Sequence, residues 1–164
     1  MGSASVRSMP TPDQPTLFCY DGSDESRRAL ASVAGLLTSG SAVILTVWQP
    51  LTARLTESGG FGVFALENES EVDDQERDAA REAAEDGAAQ ARAIGLEAEA
   101  RIEQADGPVW QAIVDVANEI DAGLIVCGTR GRGTIRTALL GSTSHAVLQH
   151  AGRPVLISPE PHDH

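Results

Sequence analysis

Short apolar runs alternate with helical stretches along most of this 164-residue chain, and this alternation constrains the fold more than any other feature. The apolar runs cover 16–20, 42–48, 124–127 and 154–158. Runs of this length, bounded by turn residues, are typical of strands that are buried on both faces. Strands that alternate with helices predict a parallel sheet with helices on both sides. The expected fold class is therefore α/β, in one domain over residues 15–159.

Helix signals fill the gaps between these runs. Ser23 is a candidate N-cap for the first helix, which Gly40 is expected to close. A charged, Ala-rich stretch predicts a second helix over 72–94, with Asp73 and Arg77 as an i,i+4 ion pair. These signals supply the helices that a parallel sheet requires between its strands.

The remaining segments complete the alternation. Residues 96–104 alternate apolar with charged side chains, which predicts a strand with one wet face near an edge of the sheet. A helix is expected to begin at Pro108, with Trp110 in its buried stripe, and the last helix covers 142–151. Residues 49–70 show no clear period, and a loop of that length is either a functional lid or disordered.

Charge and composition exclude several classes of function. The net charge is −12, so the chain would repel phosphate backbones, and nucleic acid is not an expected partner. No apolar run approaches the length of a membrane span, and the start has no apolar core of a secretory signal. Residues 1–14 are expected to be a disordered leader and 160–164 a frayed tail. In the expected cytoplasmic location, Cys19 and Cys127 would be buried reduced thiols, with a disulfide as the alternative.

The region 122–159 contains no Asp or Glu, although the whole chain carries 24 acidic residues. An acid-free, Gly-rich loop between an apolar strand and a helix suits an anionic ligand. The backbone can approach closely at Gly, and the N–H groups of a helix start point at the anion. All 12 basic residues are Arg, so any phosphate recognition must use backbone amides, hydroxyls and Arg rather than a P-loop lysine.

Four stretches of the chain form a recognisable set: Tyr20-Asp-Gly-Ser23, Leu124-Ile-Val-Cys-Gly-Thr-Arg-Gly-Arg-Gly133, Leu140-Gly-Ser-Thr-Ser-His-Ala-Val147 and Arg153-Pro-Val-Leu-Ile157. Together they resemble the universal stress protein family, and the resemblance covers about residues 16–158. The nucleotide-binding subset of that family is marked by the pattern G-x2-G-x9-G-(S/T). This chain matches the pattern without a gap at Gly128, Gly131, Gly141 and Ser142.

The resemblance implies a five-stranded parallel sheet of order 3-2-1-4-5, in a three-layer, Rossmann-like sandwich of the adenine nucleotide alpha hydrolase-like type. It also implies a homodimer, formed by pairing the last strand, Val155–Ser158, across a two-fold axis. The implied ligand is ATP, or AMP or ADP, with Mg²⁺ bridging the phosphates as an option.

Site residues follow from the same resemblance. Asp21 would lie beside the ribose and the adenine edge, where a turn-stabilising helix-start acid is the alternative, and Val47 would line the adenine slot. Trp48, which departs from the family pattern, would narrow that slot or stack in it. The residues expected near the ribose and phosphates are Gly128, Arg130, Gly131, Gly141, Ser142, Thr143 and Ser144. For Arg130, a solvated loop that only balances charge is the alternative.

Three functions remain open at this point. The first is an ATP-binding, dimeric stress-response module, and the second is a slow ATPase or autophosphorylating enzyme at the same site. The third is a nucleotide-free dimeric scaffold whose glycines serve only turns. No catalytic residue is assigned, because His145 lies too close in sequence to Ser142 to face it as a base. No metal site is expected, because His150, His162 and His164 have no metal-ligand spacing with partners.

Overall fold

The chain is described by a computed structural model that covers residues 9–37, 40–59, 68–129 and 140–159. The predicted tail and most of the predicted leader lie outside these residues. Two predicted site residues, Arg130 and Gly131, also lie outside them.

Five strands form the sheet within the described residues, and all their pairings are parallel. Their order is β3-β2-β1-β4-β5, so the predicted fold class and strand order are confirmed. The alternating strand β3 lies at one edge, as its pattern predicted. The strands are β1 Thr16–Cys19, β2 Ser41–Trp48, β3 Glu97–Gln104, β4 Leu124–Gly128 and β5 Val155–Ser158.

Helices cover both faces of this sheet, and the central strands β1, β2 and β4 bury side chains on both sides. On one face, Phe18 and Ile44 pack with Leu30 and Ala88. On the other face, Leu17 packs with apolar residues of the helices that flank β4. The helices are α1 Asp24–Ala34, α2 Leu51–Glu57, α3 Glu69–Ala93, α4 Val109–Glu119 and α5 Ser142–His150. None of the helices within the described ranges is long and apolar enough to cross a membrane.

The first helix begins as predicted and ends earlier. The Ser23 hydroxyl accepts a hydrogen bond from the Ser26 amide at 3.2 Å, which confirms the N-cap. The helix ends at Ala34, and Gly35 rather than Gly40 forms its C-cap. Gly40 instead lies directly before β2 with a φ of 142°, a backbone angle that few other residues adopt.

Two further local predictions were wrong. Asp73 does not pair with Arg77: its Oδ1 accepts a hydrogen bond from the Leu51 amide at 2.8 Å, while Arg77 pairs with Asp74 at 3.2 Å. The aperiodic segment 49–70 contains the helix α2, and α3 begins at Glu69 rather than at residue 72. At Asp73, the hydrogen bond from the distant Leu51 amide replaces the i,i+4 ion pair that local spacing predicted.

Trp110 occupies the predicted stripe of α4 but is not fully buried. Its ring stacks on His150 of α5, with ring centroids 4.4 Å apart and planes inclined by 21°. The side chain therefore joins α4 to α5 at the rim of the core, rather than filling its centre.

Candidate functional site

A cavity of about 730 Å³ opens at the carboxyl ends of β1, β2 and β4. The strand order reverses between β1 and β4, and ligands of open parallel sheets bind at such a switch. The volume falls within the usual range of small-molecule sites. Seven residues that the sequence analysis selected line the cavity together: Asp21, Val47, Gly128, Gly141, Ser142, Thr143 and Ser144.

Two hydrogen bonds hold the end of β4 against the start of α5. The Gly141 amide donates to the Thr129 carbonyl at 2.6 Å. The Ser144 hydroxyl donates to the Gly128 carbonyl at 2.7 Å, and Ser144 is only 7% exposed. The two glycines that flank the loop are thereby brought to one wall of the cavity. Since the Ser144 hydroxyl proton is already donated, its side chain positions this wall.

The start of α5 presents backbone donors to the cavity. Gly141 is the N-cap and carries no side chain that could cap the helix. The first-turn amides of Ser142, Thr143 and Ser144 have no acceptor inside the helix, because the first N–H groups of any helix lack one. The first turn holds no acidic side chain, so no acid of the helix itself neutralises the positive end of its dipole. This arrangement favours an anionic group.

The turn after β1 supplies a carboxylate on another side of the cavity. The Asp21 Oδ1 accepts a hydrogen bond from the Ser23 amide at 2.9 Å, and Gly22 between them has a φ of 77°. The Thr46 hydroxyl donates to the Tyr20 carbonyl at 2.7 Å, which ties this turn to β2. A carboxylate held in this way can accept hydrogen bonds from ligand hydroxyls.

The end of β2 forms an apolar slot. Val47 is half-buried, Trp48 is 7% exposed, and both line the cavity. The Arg77 guanidinium lies over the Trp48 ring, 5.2 Å from its centroid. That contact occupies one face of the indole, so this face is not available for stacking on a base.

Sequence reasoning missed two charged residues of the cavity wall, Arg54 and Glu76. Arg54 belongs to α2, and its Nη1 lies 3.2 Å from the Oε1 of Glu76 on α3. The Arg54 Nε is buried without a hydrogen-bond partner among the described residues. The signal that could have indicated α2 was Pro50 directly before its first residue, since proline is common at helix starts.

The two cysteines are free thiols and lie side by side in the cavity wall. Their sulfur atoms are 3.2 Å apart. The hydrogen bond with Cys127, together with burial, raises the pKa of the Cys19 thiol well above its ordinary value, and the Asp21 carboxylate adds to the shift. Within the described ranges, no cluster of three or more His, Cys, Asp or Glu side chains could hold a metal ion.

The model of the Universal stress protein family matches residues 14–159. The chain belongs to the universal stress protein family. A curated relative from Thermus aquaticus, "Universal stress protein in QAH/OAS sulfhydrylase 3'region", is 33% identical over 143 residues, which are 86% of this chain and 95% of the relative.

Solved structures share the fold of this universal stress protein. Hypothetical protein MJ0577 superposes with a TM-score of 0.75 at 20% identity, over 93% of this chain and all of that one. The universal stress protein from Archaeoglobus fulgidus in complex with dAMP has a TM-score of 0.56 at 22% identity, with 90% and 98% coverage. A universal stress protein in complex with cAMP has a TM-score of 0.59 at 24% identity, with 91% and 98% coverage.

Proposed function

We propose that this universal stress protein binds an adenine nucleotide, ATP or the related AMP or ADP, in the cavity at the carboxyl ends of its strands. One observation carries the proposal: the uncapped start of α5 and the apolar slot at the end of β2 open into the same cavity. A nucleotide needs both surfaces, because its phosphates are anionic and its base is flat and largely apolar. The complexes of two family members with dAMP and cAMP support an adenine ligand.

Each part of the nucleotide has a counterpart in the cavity. The phosphates would accept hydrogen bonds from the first-turn amides of α5, and Arg130 and Gly131 would extend this contact. The adenine would occupy the slot at Val47, and Asp21 would accept hydrogen bonds from the ribose hydroxyls. A Mg²⁺ ion bound to the phosphates would reduce their repulsion from the Asp21 carboxylate.

The biological role that fits this site is a regulatory module rather than an enzyme. Nucleotide occupancy would change the surface around α5, which a partner in the cytoplasm could recognise. The protein would act as a homodimer through Val155–Ser158. This strand lies at the end of the sheet order, and an edge strand offers backbone groups for pairing with a second copy. A molar mass of one chain, measured by light scattering at micromolar concentration, would contradict the dimer.

The nucleotide proposal can be tested at a single amide. Gly141 has a φ of −65° and a ψ of 154°, a conformation that accepts a following proline. Ser142 is the first residue of α5, where proline is well tolerated. The variant Ser142→Pro therefore removes one amide donor while it preserves the helix, whereas Ser142→Ala removes only the hydroxyl. Ser41→Ala, at the opposite end of the sheet, is the matched control.

We expect calorimetric titration with Mg·ATP to give binding for the wild type and for Ser41→Ala. A charge-assisted hydrogen bond contributes about 1.5–3 kcal/mol, so Ser142→Pro should weaken binding by roughly 10–100-fold. Saturating nucleotide should stabilise the wild type by about 2.7 kcal/mol at a hundredfold excess over Kd, or roughly 5–10 °C in Tm. Absence of both heat and thermal upshift in the wild type would reject the proposal.

A further inference from the structure

The two cysteines occupy adjacent positions on the central pair of strands. Cys19 ends β1 and Cys127 lies on β4. The strands pair in register through Phe18 and Val126, so the cysteines are the next residues along both strands. Because side chains alternate between the faces of a sheet, both thiols point to the same face. Both contact the apolar cluster on the α4 and α5 side.

The geometry is suitable for a covalent bond between the two sulfurs. Neighbouring strands run about 4.8 Å apart, within the range of roughly 4.4–6.8 Å that disulfides span between Cα atoms. The sulfurs would have to approach from 3.2 Å to about 2.05 Å. A shift of that size can be absorbed by side-chain torsions and small strand movements.

We propose that Cys19 and Cys127 form a reversible disulfide in the wall of the cavity when the protein meets a hydroperoxide. The chain thereby carries a redox modification site inside its candidate nucleotide site. Disulfides in reducing compartments are usually transient and regulatory, which agrees with two thiols that are free in this structure.

Exposure determines which sulfur reacts first. Cys19 is half-buried on the cavity wall, whereas Cys127 is 3% exposed. The Cys19 thiolate attacks one oxygen of the hydroperoxide and breaks the O–O bond, which leaves a sulfenic acid and releases water or an alcohol. The Cys127 thiol then attacks the sulfenic sulfur, and the hydroxyl leaves as water. The two thiols lose two protons and two electrons, and the peroxide is reduced by two electrons.

The environment of Cys19 makes this reaction slow at neutral pH. Its pKa is raised by the hydrogen bond with Cys127, by burial and by the Asp21 carboxylate. Only the thiolate attacks a peroxide, so we expect the rate to increase with pH throughout the neutral and alkaline range. The pair would respond to sustained rather than brief oxidation.

Oxidation would also alter the nucleotide site, and this consequence depends on the proposed function. Cys127 directly precedes Gly128, whose carbonyl accepts a hydrogen bond from the Ser144 hydroxyl. Asp21 lies two residues after Cys19. Movement of either sulfur is therefore transmitted to the start of α5 and to the carboxylate turn. We expect the disulfide to weaken Mg·ATP binding by about fivefold or more, the usual lower limit of coupling between sites.

The test uses the full-length protein, reduced and then incubated with hydrogen peroxide at alkaline pH. Unreacted thiols are alkylated under denaturing conditions, and the intact mass is measured before and after treatment with dithiothreitol. The wild type should lose two hydrogen masses, resist alkylation at both cysteines, remain a single chain and recover with dithiothreitol. Cys19→Ser and Cys127→Ser should form no disulfide within the chain.

A second measurement does not depend on the stability of those variants. Phenylarsine oxide bridges two adjacent thiols, so one arsenic per wild-type chain is expected, and a prior peroxide treatment should prevent its binding. Two alkylated cysteines after prolonged peroxide, or disulfides only between chains, would overturn the modification site.

Titration with Mg·ATP then separates the two proposals. Weaker binding after oxidation supports the coupling, and equal affinity of the reduced and oxidised protein overturns it. If the reduced protein binds no nucleotide, the proposed function and the coupling both fail, while the mass measurement still decides whether the disulfide forms.

Discussion

Gly87 lies on α3 where this helix comes nearest to the sheet. A Cβ at this position would lie 2.7 Å from Cγ2 of Ile44 and 3.0 Å from two ring atoms of Tyr20. Ile44 is fully buried, so its methyl group has no empty space to enter. The Tyr20 ring is held by its hydroxyl, which donates to Asp86 at 2.7 Å. We therefore expect Gly87→Ala to destabilise the protein.

Two opposing effects determine the size of the loss. Alanine is favoured over glycine in a helix interior by about 1 kcal/mol. Overpacking of a dense core costs about 1–3 kcal/mol, and a contact of 2.7 Å with a fully buried side chain belongs in the upper part of that range. The free energy of unfolding should therefore fall by about 1–2 kcal/mol, which corresponds to a decrease of roughly 2–8 °C in Tm.

Gly35→Ala provides the matched control. Gly35 has a right-handed helical φ of −66°, and the nearest atoms to its added Cβ are carbonyl oxygens at 3.7 and 3.8 Å, which is ordinary contact. The free energy of unfolding of the Gly35→Ala variant, measured in urea by circular dichroism, should stay within about 0.5 kcal/mol of the wild-type value. If Gly87→Ala were as stable as this control, the close approach of α3 to the sheet would be wrong.

Two further predictions concern charged residues near the C-terminus of α4. Arg153 donates to the carbonyls of Ala117 and Ala122, so Arg153→Met should lower the free energy of unfolding in urea by about 2–3 kcal/mol. Arg153→Lys should recover only part of this stability, because an ammonium lacks the fork geometry of a guanidinium. Full recovery by lysine would contradict a role for the guanidinium geometry. The hydrogen bond from Arg101 lowers the pKa of Glu119, so its stabilising contribution is present above the ordinary glutamate pKa of about 4.3 and is lost as the pH falls through the lowered value. The Tm difference between wild type and Glu119→Gln should therefore disappear in acid, and a difference that persisted there would refute the ion pair.

The sequence predicted the strands because those buried on both faces appear as uninterrupted apolar runs, while the wet edge strand β3 appears as an alternating one. Their order came from the resemblance to the universal stress protein family. The cavity wall formed by the end of β4 and the start of α5 was also predictable, since it uses a continuous local pattern of glycines and hydroxyls at the start of a helix. Gly128 and Gly141 line the same cavity for this reason. Arg130 and Gly131 remain predictions.

The remaining features depend on contacts between distant residues. Helix α2 is short and has no buried residue, so no hydrophobic period indicated it. Two residues of α3 hold it in place: Asp73 accepts a hydrogen bond from the Leu51 amide, and Glu76 forms an ion pair with Arg54. The i,i+4 rule predicted that Asp73 pairs with Arg77. Asp73 instead bonds to an amide at the start of α2, because the first amides of a helix have no acceptor within it. These contacts place Arg54 in the cavity wall, and no sequence motif indicates that position.

The distribution of charge limits which anions the cavity can select. The chain carries a net charge of −12, so its long-range field opposes the approach of any anion. The region 122–159 holds no acidic residue, and the uncapped start of α5 acts only over a few ångströms. A long polyanion such as nucleic acid would meet the repulsion along its whole length, whereas a small nucleotide neutralised by Mg²⁺ meets little of it. This balance favours a small anion over a polyanion, and it explains why short-range backbone donors, rather than a basic surface, are the feature on which the proposed function depends.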